Sequence, residues 1–208
     1  LDSLPLLPEA VSAADKIKHY YVWASFAVKE LQRLGHKHVD LLRGCLKPDN
    51  FFKIDDQSKS QLRSKYNIHP NDFIIGFVFR NQLRKSVPNL LEGYKLFLDK
   101  NPNSKAKLLF HTSWAEGWDI PRLLKEKGID SNNVLTTYYC KSCAEFEIKK
   151  FTHHKEDCRF CGSQKTQETS NVKHGVSEEQ LNLICNLMDM YCHPFTSGGQ
   201  EIPIQEAK

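Results

Sequence analysis

Asp72-Phe73-Ile74-Ile75-Gly76-Phe77-Val78-Phe79 is apolar at consecutive rather than alternate positions, the pattern of a strand buried on both faces of a parallel sheet. The loop after it, Arg80-Asn81-Gln82-Leu83-Arg84-Lys85, is polar and basic. Pro88 then opens a segment whose Leu90, Leu91, Tyr94, Phe97 and Leu98 share one helical face. The same order recurs downstream. Ala106 to His111 reads as a second strand, Ile120 to Lys127 as a helix stopped by Gly128, and Asn133 to Tyr138 as a third strand. Ser177-Glu178-Glu179-Gln180 is a capping-box start for a helix carrying Leu181, Ile184, Cys185 and Met188. Met190 to Phe195 is the fourth strand, and Ile202 to Ala207 begins another helix. Strands alternating with helices predict an α/β fold with an open, doubly wound, Rossmann-like parallel sheet.

Upstream, apolar residues from Ile17 to Leu34 recur at helical spacing and predict one helix over Lys16–Leu34, stopped by Gly35. Val39-Asp40-Leu41-Leu42 reads as a short strand, and Asp55 to Ser64 as a linker and helix start. The 208 residues, 40% hydrophobic and 26% charged, suffice for a real core and exclude pervasive disorder. An excess of 29 Lys+Arg over 25 Asp+Glu favours an anionic ligand such as a phosphate, but is too small to indicate nucleic-acid binding. No stretch reaches the roughly 18 apolar residues of a membrane helix. Leu1 is not an initiator methionine and Lys208 falls a few residues into the last helix. The sequence is therefore expected to be a processed or excised piece, truncated at its C-terminus.

Cys140 and Cys143 form one C-x-x-C, Cys158 and Cys161 another, with fourteen residues between the pairs. Each pair can turn two thiolates towards one ion, and two pairs complete the tetrahedron that Zn²⁺ prefers, so the spacing predicts a structural zinc ribbon. Four thiolates leave no open coordination position, which speaks against a catalytic metal. Iron could occupy the same sulfurs, and His153 or His154 could replace a cysteine. Cys45, Cys185 and Cys192 sit in apolar stretches and read as buried free thiols. Metal-binding rather than disulfide spacing points to a reducing compartment, the cytoplasm.

Three segments carry a family resemblance. Phe77-Val78-Phe79-Arg80-Asn81-Gln82-Leu83-Arg84-Lys85 resembles the strand and loop of retaining GT-B glycosyltransferases, family four, in which an Arg and a Lys five positions on flank the donor diphosphate. Pro194-Phe195-Thr196-Ser197-Gly198-Gly199-Gln200-Glu201-Ile202-Pro203-Ile204-Gln205-Glu206-Ala207 is similar to that family's terminal glutamate motif, and Ala13 to Phe52 to its interdomain crossover. The resemblance covers nearly the whole chain except about 139–170. It implies that residues 1–54 are the end of the acceptor-side domain with the crossover, that 55–208 bind the nucleotide sugar, and that the zinc ribbon of 139–170 is an insertion.

By the same resemblance Arg80 and Lys85 are the catalytic cations, offsetting charge on the departing diphosphate without a metal. Gly198 and Gly199 contribute a donor-binding loop, and Glu206 accepts hydrogen bonds from the ribose. Gly198 stands where the family has an earlier Glu, so Glu201 is expected to take over part of that role, and Phe79 replaces a Gly and is expected to narrow the pocket. Trp114 and Trp118 could line a sugar or base site or pack over a helix. The implied partner is a UDP-, GDP- or ADP-linked sugar, transferred with retention to an acceptor the sequence does not specify. Two other readings stay open: a ribbon that binds nucleic acid or protein, carrying Lys149, Lys150, His153, His154, Lys155 and Arg159, and a GT-B-like epimerase or phosphorylase.

Overall fold

A computed structural model of the chain describes residues 4–46, 49–171, 173–196 and 201–207. Along it come first α1 (Pro8–Lys16), β1 (Tyr20–Val22), α2 (Ser25–Arg33) and β2 (Val39–Leu41). The single helix expected over Lys16–Leu34 is thus a strand and a shorter helix. Tyr20-Tyr21-Val22 is aromatic and β-branched, which suits a pleated surface, and it pairs in parallel with β2, Tyr20 facing Val39 and Val22 facing Leu41. Gly35 does end α2, with φ at +103°. A small core of Ala14, Val22, Ala27, Leu31 and Val39 holds this unit together.

The larger body follows: α3 (Asp56–Lys65), β3 (Phe73–Val78), α4 (Val87–Lys100), β4 (Ala106–His111), α5 (Ile120–Glu126), β5 (Val134–Cys140), β6 (Phe146–Lys150), β7 (Gln167–Thr169), α6 (Glu178–Asn186), β8 (Met190–Tyr191) and α7 (Ile202–Glu206). Asp55 caps α3, its carboxylate accepting the backbone N–H of Ser58 at 2.8 Å. The capping box of Ser177 and Gln180 forms as expected. Between the two units, Asn182 and Asn186 of α6 accept the backbone N–H groups of Phe52 and Ile54.

The sheet runs in the order β6-β5-β4-β3-β8. β8, β3, β4 and β5 are parallel, whereas β6 and β7 are antiparallel to β5. Both faces are covered, as the unbroken apolar run of β3 requires. Ile75, Phe77 and Phe79 point with Phe110 into a core shared with α4 and α5. Ile74 and Val78 point the other way, against Tyr66, Ile68, Ile184 and Leu187 around α3 and α6. Gly76 lies on this second face, where an added Cβ would sit 1.9 Å from the sulfur of Met188. Gly76→Ala is therefore expected to destabilise by about 1–3 kcal/mol, the usual cost of overpacking, in a denaturant titration. Met188→Ala should relieve part of it.

The fourth strand is shorter than expected. Its pairing with β3 ends when Cys192 donates to Gly76 O, and Pro194 has no N–H to continue a ladder. More consequential is how β5 is shared. On one edge it pairs with β6, from Leu135 to Tyr139. On the other it pairs first with β4, at Val134–Thr136, and then with β7, at Tyr138–Cys140. β7 thus takes up the edge where β4 leaves it, and the cysteine ribbon is built onto the sheet through a common strand.

Candidate functional site

The strand order reverses between β3 and β8, and in open α/β sheets ligands bind beyond the carboxyl ends of the strands at such a point. There a 3₁₀ turn, Leu83–Lys85, follows β3 and ends at Ser86 with φ +46°. The turn aims Lys85 inward, where it is 4% exposed. Its ammonium donates to the carboxylate of Glu201, and Arg84 Nη1 donates to the other oxygen of that carboxylate at 3.1 Å. His193, just past β8, brings Nε2 to 3.4 Å from Lys85 Nζ and 3.2 Å from Glu201.

The tautomer of His193 follows from its neighbours. Tyr191 OH donates to the carbonyl of Val78 at 3.0 Å, so its oxygen is left to accept from His193 Nδ1 at 2.7 Å. A neutral ring then presents Nε2 as an acceptor to Lys85. Burial lowers the pKa of His193 and nearby Lys85 lowers it further, which favours that neutral form. Burial alone raises the carboxyl of Glu201, but Lys85 and Arg84 outweigh it and hold it below the usual range. Glu201 thereby joins the two cations, and His193 is held beside them through Lys85 and Tyr191.

Arg80 lies apart from this cluster, exposed, with its guanidinium 3.5 Å from Glu116. It edges a cleft of about 320 Å³ beyond the ends of β3 and β4, lined also by His111, Thr112, Ser113, Ser170 and Asn171. Among the described residues, His111 Nδ1, Thr112 Oγ1, Thr137 Oγ1 and Ser170 Oγ are buried without a hydrogen-bond partner. Buried polar atoms are ordinarily satisfied. The register places all four where β4 gives way to β7 along β5. Burial lowers His111 to about 4, leaving a neutral imidazole. Phe79 lines the same cleft, stacked on Phe77 with centroids 3.8 Å apart.

Asn81, 2% exposed, ties the loop after β3 to the loop after β4. It donates to Trp118 O at 2.9 Å and accepts the Trp118 N–H at 3.0 Å. Gly117 makes this possible, since its φ is +72° and a Cβ there would lie 2.0 Å from the Asn81 carbonyl oxygen. Trp114 is a packing residue, stacked on Phe151 and bonded through Nε1 to Thr136. Trp118 donates from its ring to Leu83 O.

Of the residues read from the sequence, Lys85 and Glu201 meet directly, and Arg80 lines the adjoining cleft. Gly198 and Gly199 lie outside the described residues. Glu206 lines a different cavity, of about 300 Å³, with Phe52, Asn182 and Asp189, and burial followed by the charge of Glu178 raises its pKa. His193, Tyr191, Thr112 and Ser170 were not singled out as ligands. His111 ends β4 and His193 lies just past β8, so both stand where the sheet presents its carboxyl ends.

The four cysteines converge. Their sulfurs all lie within 4.8 Å of one another, Cys140 to Cys161 at 3.9 Å and Cys143 to Cys158 at 3.7 Å. A tetrahedron with Zn–S bonds of about 2.3 Å has sulfurs about 3.75 Å apart, so the set fits that ion. Burial raises the Cys140 thiol, but hydrogen bonds from Thr166, Ser163 and two backbone N–H groups prevail and lower it to about 5. The Glu145 N–H lowers Cys143, yet burial and the three neighbouring sulfurs raise it to about 12. Without a cation the thiolates oppose one another's ionisation. His153 instead packs edge-on against Phe151, 5.0 Å between ring centres. Of the other three, Cys185 is buried as expected and Cys192 is partly so, whereas Cys45 is exposed.

No protein-family description and no curated protein matches the chain. Among solved structures it is similar to TarM, a GT-B glycosyltransferase. The likeness to an S. aureus TarM variant in complex with fondaparinux, alpha-GlcNAc-glycerol and UDP has a TM-score of 0.57 at 12% identity, covering 96% of this chain and 29% of that one. A second TarM structure gives 0.57 at 13%, with the same coverage. The chain therefore spans less than a third of its neighbours' length, and what the likeness establishes for it is a GT-B-like, Rossmann-type fold, to which the chain's own four-cysteine cluster is added.

Proposed function

We propose that the chain is the donor-binding part of a retaining glycosyltransferase that takes a nucleotide sugar. The observation that carries this reading is the cation cluster at the β3–β8 reversal. Lys85 and Arg84 follow the carboxyl end of β3, beyond which lies a cleft whose lining residues His111, Thr112 and Ser170 each carry a buried polar atom unsatisfied among the described residues. A diphosphate would lie against Lys85 and Arg80, which offset charge as the sugar–phosphate bond breaks. The nucleoside would enter the cleft, where His111, Thr112 and Ser170 offer hydrogen bonds. Glu201 acts on the donor through the two cations it orients. The UDP bound in the TarM variant agrees with this class of ligand.

Thermal-shift measurements with UDP, GDP, ADP and CMP test the reading. One nucleoside diphosphate should raise the midpoint selectively. Arg80→Ala, at an exposed site, should weaken its binding by about 0.5–1.5 kcal/mol and leave the nucleoside unaffected. Glu206→Ala, at a residue lining the separate cavity with Phe52, Asn182 and Asp189, should leave both unchanged. Failure of every nucleotide to stabilise the folded chain would remove the assignment.

We further infer that Cys140, Cys143, Cys158 and Cys161 hold one structural zinc. The nucleic-acid reading of the ribbon is disfavoured by its own acids. Lys149 pairs with Glu147 and Glu156, Arg159 with Glu147, and Lys141 and Lys155 with Glu168. Among the described residues no helix is long and apolar enough to cross a membrane.

A further inference from the structure

The ribbon and the cleft are opposite ends of one three-residue strand. β7 begins at Gln167, which faces Cys140 across the ladder, and ends at Thr169, which faces Tyr138. Gln167 is roughly 10 Å along the chain from Ser170 at strand rise. At the metal end, the Thr166 carbonyl accepts the Lys141 N–H and the Thr166 hydroxyl lies 3.3 Å from Cys140 Sγ. Ser163 links that hydroxyl to Cys161. At the other end Ser170, 6% exposed, has an unpartnered hydroxyl among the described residues and lines the cleft with Thr112.

What else holds β7 comes from the ribbon as well. Its outer edge has the bridge between Gln167 and Glu156. Glu168 pairs with Lys141, Lys155 and His174. Three ladder residues make a marginal strand by themselves. With no ion to tie Cys140, Cys143, Cys158 and Cys161 together, the turns that carry Lys141 and Thr166 lose their common anchor, and with them the start of β7.

We infer that the four-cysteine metal site is a clamp on the cleft: zinc bound there holds β7 in place and so fixes the Ser170–Asn171 wall, making nucleotide binding zinc-dependent although no ligand touches the metal. The inference rests on the cleft being the nucleotide site, and its experiment separates the two. The full chain is compared zinc-loaded, stripped by a chelator, and as Cys161→Ser, whose altered sulfur is exposed. Hydrogen exchange is followed over residues 166–171 and over β3, alongside UDP titration.

The clamp predicts exchange in 166–171 faster by about tenfold or more on stripping, with β3 still protected. UDP affinity should fall by about tenfold, as expected for losing one or two hydrogen bonds, and zinc alone should restore it. Unchanged exchange or unchanged affinity after verified zinc loss would overturn the clamp. So would loss of protection throughout β3, which would make zinc a requirement of the whole fold. If the zinc-loaded chain binds none of the nucleotides, the donor reading fails, and exchange in 166–171 alone decides whether zinc holds the wall.

Discussion

One equivalent of zinc is expected in the purified chain, and stripping it should lower the thermal midpoint by about 8–16 °C. The size follows from linkage. An ion bound with free concentration about a thousandfold above its dissociation constant stabilises the folded state by about 4 kcal/mol, and in a chain of 150–250 residues each kcal/mol moves the midpoint by about 2–4 °C. The sulfur spacings of 3.7 and 3.9 Å require little rearrangement to receive the ion. The loss should be concentrated in the ribbon and the adjoining end of β5, of which Cys140 is the last residue and fully buried. Tyr66 stacked on Phe146, and Arg159 bonded to Lys65 O, dock the ribbon onto the end of α3. Elemental analysis and calorimetry with and without chelator check this. Absence of both zinc and iron, or a midpoint indifferent to chelation, would reject the metal site.

Lys85→Ala should weaken UDP binding by about 1.5–3 kcal/mol, the range for a hydrogen bond to a charged group, with uridine much less affected. The same substitution should also destabilise the fold. Lys85 and Glu201 have side chains 6% and 10% exposed, and removing one partner of a buried pair costs about 3–5 kcal/mol. Arg84 and His193 remain near Glu201 and should moderate that loss. The double variant Lys85→Met with Glu201→Gln separates the effects: it should recover stability without recovering UDP affinity. Calorimetric titration at a temperature where every variant is folded is the deciding measurement. Equal UDP affinity in parent and Lys85→Ala would remove Lys85 from the site.

The parallel sheet was legible because its strands are buried on both faces and write that burial as unbroken apolar runs. Ala106 to His111 coincides with β4 residue for residue. The start of the chain was not. Tyr20-Tyr21-Val22 fits a helical period as well as a strand, and pairing with Val39-Asp40-Leu41, nineteen positions on, decides between them. Chain order gave Lys85 and Glu201 as separate candidates, whereas their meeting depends on β8 lying beside β3. The ribbon's ligands were plain in their spacing, but its attachment was not, because nothing local marks β7 as the strand that succeeds β4 on the edge of β5. Ser170 and Thr112, each unremarkable in sequence, acquire meaning only from that junction.

The mutual hold of Asn81 and Trp118 has a consequence for re-engineering the cleft. Two hydrogen bonds and a glycine that tolerates no Cβ make the loops after β3 and β4 a single mechanical part. A loop grafted after β3 without an Asn at position 81 would leave the backbone N–H and C=O of residue 118 without their partners. Exchanging donor preference between such proteins is therefore a matter of transplanting residues 80–86 and 112–119 together, and libraries that randomise either segment alone will be dominated by chains that have lost the latch rather than changed their ligand.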